Sequence, residues 1–191
     1  MKLPPTSYAW EGAVLHAVSS ASASGLVYKL DGGAPGLPVL SWRWKVAAPL
    51  PAHDERLKRG DDFAARVYVT FRYDPSRAGA ATRLKYGLVK ALYGEYPPHA
   101  GISYVWSSKE PAGSSWPNPF TDRVRMAALR SGPAEAGRWV SESRDTAADY
   151  RAFFGEEPPP LAGVAVMTDT DGGGGSAEAW YSDLALWAAP R

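Results

Sequence analysis

The chain has 191 residues, 45% of them hydrophobic, which is enough for one ordinary domain with a substantial core. Its 21 basic and 20 acidic residues give a formal net charge of +1, so bulk charge supports neither a nucleic-acid partner nor a membrane-surface partner. Cysteine is absent, which excludes disulfides, thiol nucleophiles and thiolate metal sites.

Period-two alternation and short apolar runs between Gly/Pro turns predict strands along most of the chain. These strands are expected at residues 14–20, 25–30, 37–46, 65–72, 101–107, 123–129, 138–145, 161–169 and 177–187. The first two are expected to form a hairpin. Helices are expected at 80–93, from leucines at helical spacing, and at 146–154, from a Thr cap and a glycine stop. Two prolines in 114–120 argue against regular structure there.

Many short strands with one or two short helices predict an all-β fold, an antiparallel β-sandwich of the jelly-roll type. We expect a single domain over residues 1–191, with a helical excursion at about 77–98 that is long enough to be a lid or a partner surface. The opening MKLPP has no apolar run behind it, which predicts neither a signal peptide nor a membrane anchor. The chain is therefore expected to be soluble. A periplasmic or secreted location is the alternative if a leader has been removed.

Six motifs resemble a family of bacterial proteins known only as a domain of unknown function. They are WRWKV at 42–46, GDDFAARVY at 60–68, YVW at 104–106, WPNP at 116–119, DY and FG at 149–155, and MTDTD at 167–171. The resemblance brings no activity, and the export signals common in that family imply a periplasmic or surface setting. The closing WYSDLAL at 180–186 is also similar to the last strand of galactose-binding-like sandwiches, a fold in which sugar-binding modules are common.

Two strands leave a polar face opposite a core face. Arg43 and Lys45 alternate with large apolar residues that include two tryptophans, and Arg66 and Tyr68 alternate with valines and a phenylalanine. In one sheet these side chains would form a basic, aromatic surface suited to an anionic or polyhydroxylated ligand, because guanidinium groups pair with carboxylates and rings stack on sugars. The alternative is a solvated sheet face with cross-strand charge pairs. The predicted ligand-binding residues are Arg43, Lys45, Arg66, Tyr68, Tyr104, Trp106, Trp116 and Asn118.

Acidic residues suggest two further sites. Asp169 and Asp171 at a strand end, with Glu178 and Asp183 expected across a hairpin, are oxygen ligands of the kind that calcium prefers. An acid/base pair could join Asp61 or Asp62 to Asp169 or Asp171, as in glycoside cleavage. For each set, turn formation or pairing with arginine is the structural alternative.

The favoured function is thus a non-catalytic binding module for a carbohydrate or related anionic ligand. We expect no required cofactor; if one is bound, calcium is the ion that the acidic residues suit. A carbohydrate-active hydrolase or lyase that uses the paired Asp residues is the first alternative. A structural or assembly protein that docks a partner through helix 80–93 is the second. The sequence gives neither the ligand nor the oligomeric state.

Overall fold

The computed structural model describes residues 4–77, 79–80, 83–84, 86, 90 and 98–189. Within these ranges, eleven strands form two facing sheets; nine of them lie where strands were predicted, and the two at Ser7–Glu11 and Ser115–Asn118 were not predicted. The strands are β1 Ser7–Glu11, β2 Val14–Ser20, β3 Ala23–Lys29, β4 Val39–Val46, β5 Phe63–Phe71, β6 Ala100–Ser107, β7 Ser115–Asn118, β8 Thr121–Ser131, β9 Val140–Asp145, β10 Leu161–Asp169 and β11 Ser176–Trp187. An α-helix, α1, spans Thr146–Phe154, and short 3-10 turns lie at Lys58–Gly60 and Pro75–Arg77.

The strands divide into a five-stranded and a six-stranded sheet. Sheet A has the order β1-β2-β11-β4-β9 and sheet B the order β3-β10-β5-β6-β8-β7. Neighbouring strands are antiparallel except β6 and β8, which run parallel. The prediction of a jelly-roll-like β-sandwich is confirmed, with this one parallel pair as the exception to its antiparallel character.

The main core lies between the two sheets. Sheet A contributes Trp42 and Trp44 from β4, and sheet B contributes Tyr104 and Trp106 from β6. The ring centroids of Trp42 and Tyr104 are 5.4 Å apart, and those of Trp44 and Trp106 are 5.9 Å apart. Alternation therefore assigned the tryptophans of β4 correctly to the core.

A second, smaller apolar cluster lies on the outer face of sheet B. It contains Phe63, Val105, Trp116, Met126 and Ala128. Register places these residues opposite the main core, since Val105 pairs with Ala128 on one side and with Arg66 on the other. Arg56, from the connection before β5, lies over this cluster with its guanidinium carbon 5.5 Å from the Trp116 centroid, so part of a face that alternation alone would leave in solvent is buried.

Three local predictions need correction. Strands β2 and β3 belong to different sheets, so they form no hairpin. Strand β7 contains Pro117, which the edge of a sheet tolerates because no ladder hydrogen bond is lost there. The N-cap of α1 is Asp145, whose carboxylate accepts from the N–H groups of Ala147 and Ala148, and not the expected threonine.

The predicted excursion at 77–98 falls largely outside the described residues. Of the expected helix 80–93, the described positions Ala80, Arg83, Leu84, Tyr86 and Lys90 are helical. The role of this segment as a lid or partner surface stays a prediction.

Candidate functional site

Two of the predicted ligand-binding residues lie on the outer face of sheet A. Arg43 and Lys45 project from β4 on the side opposite its buried tryptophans. Lys45 is the cross-strand neighbour of Trp180 on β11, and Trp180 is in turn the neighbour of His16 on β2. Because directly paired residues of antiparallel strands share a face, these side chains form one line across the sheet.

Trp139, which immediately precedes β9, completes this line. We call His16, Trp180, Lys45, Trp139 and Arg43 the aromatic-cationic row. The rings of His16 and Trp180 stack with centroids 4.8 Å apart and planes 4° apart. The Lys45 ammonium lies 3.8 Å from the Trp180 centroid and 5.7 Å from that of Trp139, and the Arg43 guanidinium carbon lies 5.1 Å from the Trp139 centroid. Cations and rings therefore alternate at cation-π distances.

The charges of the row differ in how they are paired. The ring nitrogens of His16 lie 2.9 Å from Glu11 and 2.8 Å from Glu178. Arg43 lies 3.5 Å from Asp183. Among the residues that the structure describes, no carboxylate lies within salt-bridge distance of Lys45. The groups found over its ammonium in the described ranges are the indole rings of Trp139 and Trp180, which makes Lys45 the group in the row most available to an anion.

Arg66 and Tyr68 lie on the other side of the molecule, which corrects the expectation of one joint surface. Strand β5 belongs to sheet B, whereas β4 belongs to sheet A, so the two polar faces point away from each other. Arg66 is also 1% exposed and beyond the reach of a ligand in this conformation. Alternation located its face correctly but could not show that loops bury it.

The Arg66 guanidinium is fully used inside the protein. Its Nε donates to Asp169 Oδ1 at 2.7 Å, and its Nη2 donates to Asp169 Oδ2 and to the Asp61 carbonyl. Its Nη1 contacts Asp61 Oδ1 at 3.3 Å and donates to the Tyr68 hydroxyl at 3.0 Å. Burial opposes its charge, but Asp169, Tyr68 and Asp61 together raise the pKa of Arg66 above its ordinary value. Arg66 is therefore a buried structural ion pair in this fold.

The other four predicted ligand-binding residues are also away from the aromatic-cationic row. Tyr104 is buried on the inner face of β6 and donates to Asp149 Oδ2 at 2.7 Å. Trp106, equally buried, donates to the Gly132 carbonyl at 3.1 Å. Trp116 is buried in the second cluster, and Asn118 is half-buried beside Asp61. The inward face of β6 was left open by the sequence, and the structure assigns it to the core.

Four aspartates meet where β5 begins and β10 ends, as antiparallel pairing of these strands requires. We call Asp61, Asp62, Asp169 and Asp171 the carboxylate cluster. Carboxylate oxygens of Asp62, Asp169 and Asp171 lie within 4.8 Å of one another. Burial is the main cause that raises the pKa of Asp169 to about 6; Asp62 and Asp61 add to this shift, and Arg66 opposes it.

Most of the cluster is satisfied by the protein itself. Asp62 accepts from the N–H groups of Gly172 and Gly173 at 2.9 and 2.6 Å. A Cβ at Gly172 would lie 2.9 Å from the Arg59 carbonyl oxygen, so this turn requires glycine. Asp169 is held by Arg66, and only Asp171 is exposed. The carboxylates have the proximity that a hydrolase needs, but not the open cleft.

The four predicted calcium ligands do not come together. Asp169 and Asp171 belong to the carboxylate cluster, whereas Glu178 contacts His16 and Asp183 contacts Arg43 on sheet A. The expected hairpin is absent because β10 and β11 lie in different sheets. Calcium binding stays a prediction, and its ligand set becomes Asp62, Asp169 and Asp171.

A groove that the sequence did not predict opens between the two sheets. It has a volume of about 670 Å³ and lies between β1, β2 and β11 on one side and β3 and β10 on the other. Its floor is apolar and includes Leu15, Leu40 and Val166. Trp10 and Tyr28 on its rim are 70% and 73% exposed. Grooves of this size and lining are typical of ligand sites.

The sequence profile of the family described as "Protein of unknown function (DUF3047)" matches residues 2–185. The chain belongs to this family. No curated protein matches the sequence of this DUF3047 member. Among solved structures, its fold is similar to "Xyloglucanase domain of NopAA, a type three effector from Sinorhizobium fredii in complex with cellobiose". The two are 9% identical, with a TM-score of 0.47 over 99% of this chain and 90% of that one. Such a likeness does not carry activity or ligand across.

In the described part of this DUF3047 chain, no helix has the length and apolar character needed to cross a membrane. Three members of its aromatic-cationic row were not predicted. For Trp180 the signal was present, since Ala177, Ala179 and Tyr181 alternate with it as a core face. Trp139 stands outside any regular strand, and His16 shows its partners only when β2 is paired with β11. No local pattern could have found those two.

Proposed function

We propose that this protein is a non-catalytic binding module for an acidic carbohydrate, which it holds on the aromatic-cationic row of sheet A. The observation that carries the proposal is Lys45, a cation between two indole rings on an outer sheet face with no carboxylate partner among the described residues. Carbohydrate-binding surfaces need flat apolar faces for sugar rings and charged donors for acidic substituents. The row combines both.

Lys45 connects the two kinds of contact. Lys45 and His16 lie against the Trp180 ring, so that ring is not open to a sugar in this arrangement. The ammonium sits on a flexible four-carbon stem. A ligand carboxylate draws the ammonium away from the indole, and the ring face that it leaves becomes available for stacking. Acidic sugars gain both interactions, whereas neutral sugars must displace the cation without an ionic contact.

Arg43, the second cation of the aromatic-cationic row, lies two residues before Lys45 on β4. Its contact with Asp183 at 3.5 Å is long and solvent-exposed, and such pairs contribute little to stability. A ligand carboxylate can therefore replace Asp183 with little loss. Arg43 and Lys45 together would bind two carboxylates of an acidic oligosaccharide that runs along β4.

A carbohydrate-active enzyme is the second candidate. The observation in its favour is the carboxylate cluster, where the pKa of Asp169 is raised to about 6 by burial next to the exposed Asp171. Asp169 is enclosed and paired with Arg66, so a substrate oxygen has no path to it in this conformation. The binding module is thus better supported. The assembly alternative depends on helix 80–93 and stays a prediction.

Isothermal titration calorimetry tests the proposal. A galacturonic acid tetramer and a neutral glucose tetramer are titrated into the wild-type protein, Lys45→Gln and the control Lys109→Gln, whose lysine lies outside the row. We expect Lys45→Gln to weaken the acidic tetramer about tenfold, the loss of one charge-assisted contact, and not to weaken the neutral tetramer, which makes no ionic contact with Lys45. Lys109→Gln should behave as wild type. No binding of either tetramer below millimolar concentration, or equal affinities of the two variants, would refute it.

A further inference from the structure

The inter-sheet groove arises because sheet A is narrower at one end. Strand β2 begins at Val14, so its pairing with β11 ends at Tyr181 and Leu15. Beyond that point β11 continues to Trp187 and pairs only with β4. A register shift between Ser182 and Ala185, with Asp183 at a φ of 56°, interrupts this part of the strand. In the opposite sheet β10 pairs with β3 on one side and β5 on the other, and its Val164 and Val166 form part of the apolar floor, 8% and 5% exposed.

The rim of the groove is apolar and exposed to a degree that soluble surfaces seldom show. Leu26, Val27 and Tyr28 follow one another on β3, the edge strand of sheet B, and are 42%, 65% and 73% exposed. Trp10 stands opposite them on β1, the edge strand of sheet A. Contiguous exposed apolar side chains around a concavity mark a binding site.

The shape and lining fit an extended hydrocarbon chain better than a sugar. Residues Tyr181 to Leu186 of β11 line one wall, five residue steps that span at most about 17 Å. The polar groups of the wall are few: the Tyr181 hydroxyl donates to the Met167 carbonyl at 2.7 Å, and the Asp183 carboxylate lies 3.5 Å from Arg43. A sugar placed there would leave hydroxyl groups without partners, which is costly. A methylene chain needs none.

A basic surface adjoins the groove at one end. A second cavity of about 350 Å³ shares Val27 and Leu30 with the groove, and its charged lining residues are Lys29, Arg72 and Asp31, two cations and one carboxylate. The Arg72 guanidinium donates to the carbonyl groups of Leu30, Asp31 and Leu161, all neutral acceptors. These contacts fix the guanidinium without neutralising its charge. The combination favours an anionic group at the end of the chain.

We propose that the inter-sheet groove binds a single-chain anionic amphiphile of the fatty-acid class, with the hydrocarbon chain between the sheets and the carboxylate near Arg72. This site is separate from the aromatic-cationic row, which lies on the outer face of sheet A. The proposal therefore does not depend on carbohydrate binding.

Calorimetry with octanoate, decanoate and dodecanoate, each below its micelle concentration, tests the proposal on the full chain. We expect one ligand per chain and a dissociation constant that falls about tenfold for each added pair of methylenes. Decan-1-ol should bind about fivefold more weakly than decanoate, because it lacks the charge at the basic end. An affinity that does not depend on chain length, or decan-1-ol binding as tightly as decanoate, would overturn the proposal.

Matched variants locate the site. Leu26→Asp places a carboxylate on the rim, whereas Val18→Asp makes the same change at a 41% exposed strand residue outside the groove. We expect Leu26→Asp to weaken decanoate at least tenfold and Val18→Asp to have no effect. Leu184→Asp, on the opposite wall, serves if Leu26→Asp fails to fold, as judged by circular dichroism. Equal affinities of the rim and control variants, or a second copy of the chain on β3 that excludes decanoate in sedimentation experiments, would overturn the proposal.

Discussion

Arg66→Met tests the assignment of Arg66 as a structural residue. The substitution keeps an unbranched side-chain stem and removes the guanidinium that faces Asp169 and Asp61. Removing one partner of a buried ion pair costs about 3–5 kcal/mol, because the other charge is left without compensation. For a domain of this size, we expect the melting temperature to fall by roughly 6–20 °C. A ligand-binding role for Arg66 would predict a much smaller effect on stability.

The effect should depend on pH. Burial already raises the pKa of Asp169 to about 6 with Arg66 in place, and loss of the guanidinium raises it further. At pH values between the Asp169 pKa of the wild type and that of the variant, the folded variant holds one proton more than the folded wild type. The stability of the variant relative to wild type therefore falls as the pH rises through this window. At pH 5 the carboxyl is protonated in both proteins, and the difference should be smaller than at pH 7.5.

Urea unfolding at both pH values measures this difference. Arg66→Met combined with Asp169→Asn removes both charges and should cost at least 2 kcal/mol less than the sum of the single variants, roughly the coupling expected for a buried pair. Arg151→Met is the matched control, since its contact with Glu157 is solvent-exposed and contributes little to stability. If Arg66→Met cost no more than Arg151→Met, or if the single effects were additive, the reasoning would be refuted.

Three further predictions concern other parts of the fold. Asp145→Ala should destabilise the protein by about 1 kcal/mol, because the Asp145 carboxylate caps two N–H groups of α1. Urea unfolding of this variant and of the exposed control Asp122→Ala checks this, and equal stabilities of the two variants would contradict it. Tyr104→Phe should cost about 1–2 kcal/mol, since its hydroxyl donates to Asp149 at 2.7 Å; a neutral effect would count against that bond. Calcium should raise the melting temperature more at pH 7.5 than at pH 5, because Asp169 must be deprotonated to bind it; an effect equal at both pH values would exclude the carboxylate cluster.

Alternation predicted the faces of the strands well and their partners poorly. It placed Trp42 and Trp44 in the core and Arg43 and Lys45 on the opposite face, as the structure has them. Alternation could not show that β4 and β5 belong to different sheets. Strand pairing joins residues that are far apart in the sequence, and a local period of two carries no information about it. The joint surface with Arg66 was therefore wrong.

Burial of outer faces was equally hidden in the sequence. Trp116 lies next to two prolines, which predicted a loop, yet it is buried in the second cluster through an edge strand. The inter-sheet groove depends on where β2 stops relative to β11, a difference of a few residues that element prediction does not resolve. The sequence suggested Asp61 or Asp62 with Asp169 or Asp171 as an acid/base pair but not their separation, which follows from the antiparallel pairing of β5 with β10.

The most direct test of the proposed function is a spectrum of the indole N–H groups of the eight tryptophans, recorded while a galacturonic acid tetramer is added. Trp139 and Trp180 lie in the aromatic-cationic row, Trp10 lies on the rim of the groove, and four others are buried. The proposal predicts that the Trp139 and Trp180 signals shift together while those of Trp10 and the buried tryptophans stay in place. Shifts confined to Trp10, or no shift at millimolar ligand, would contradict it.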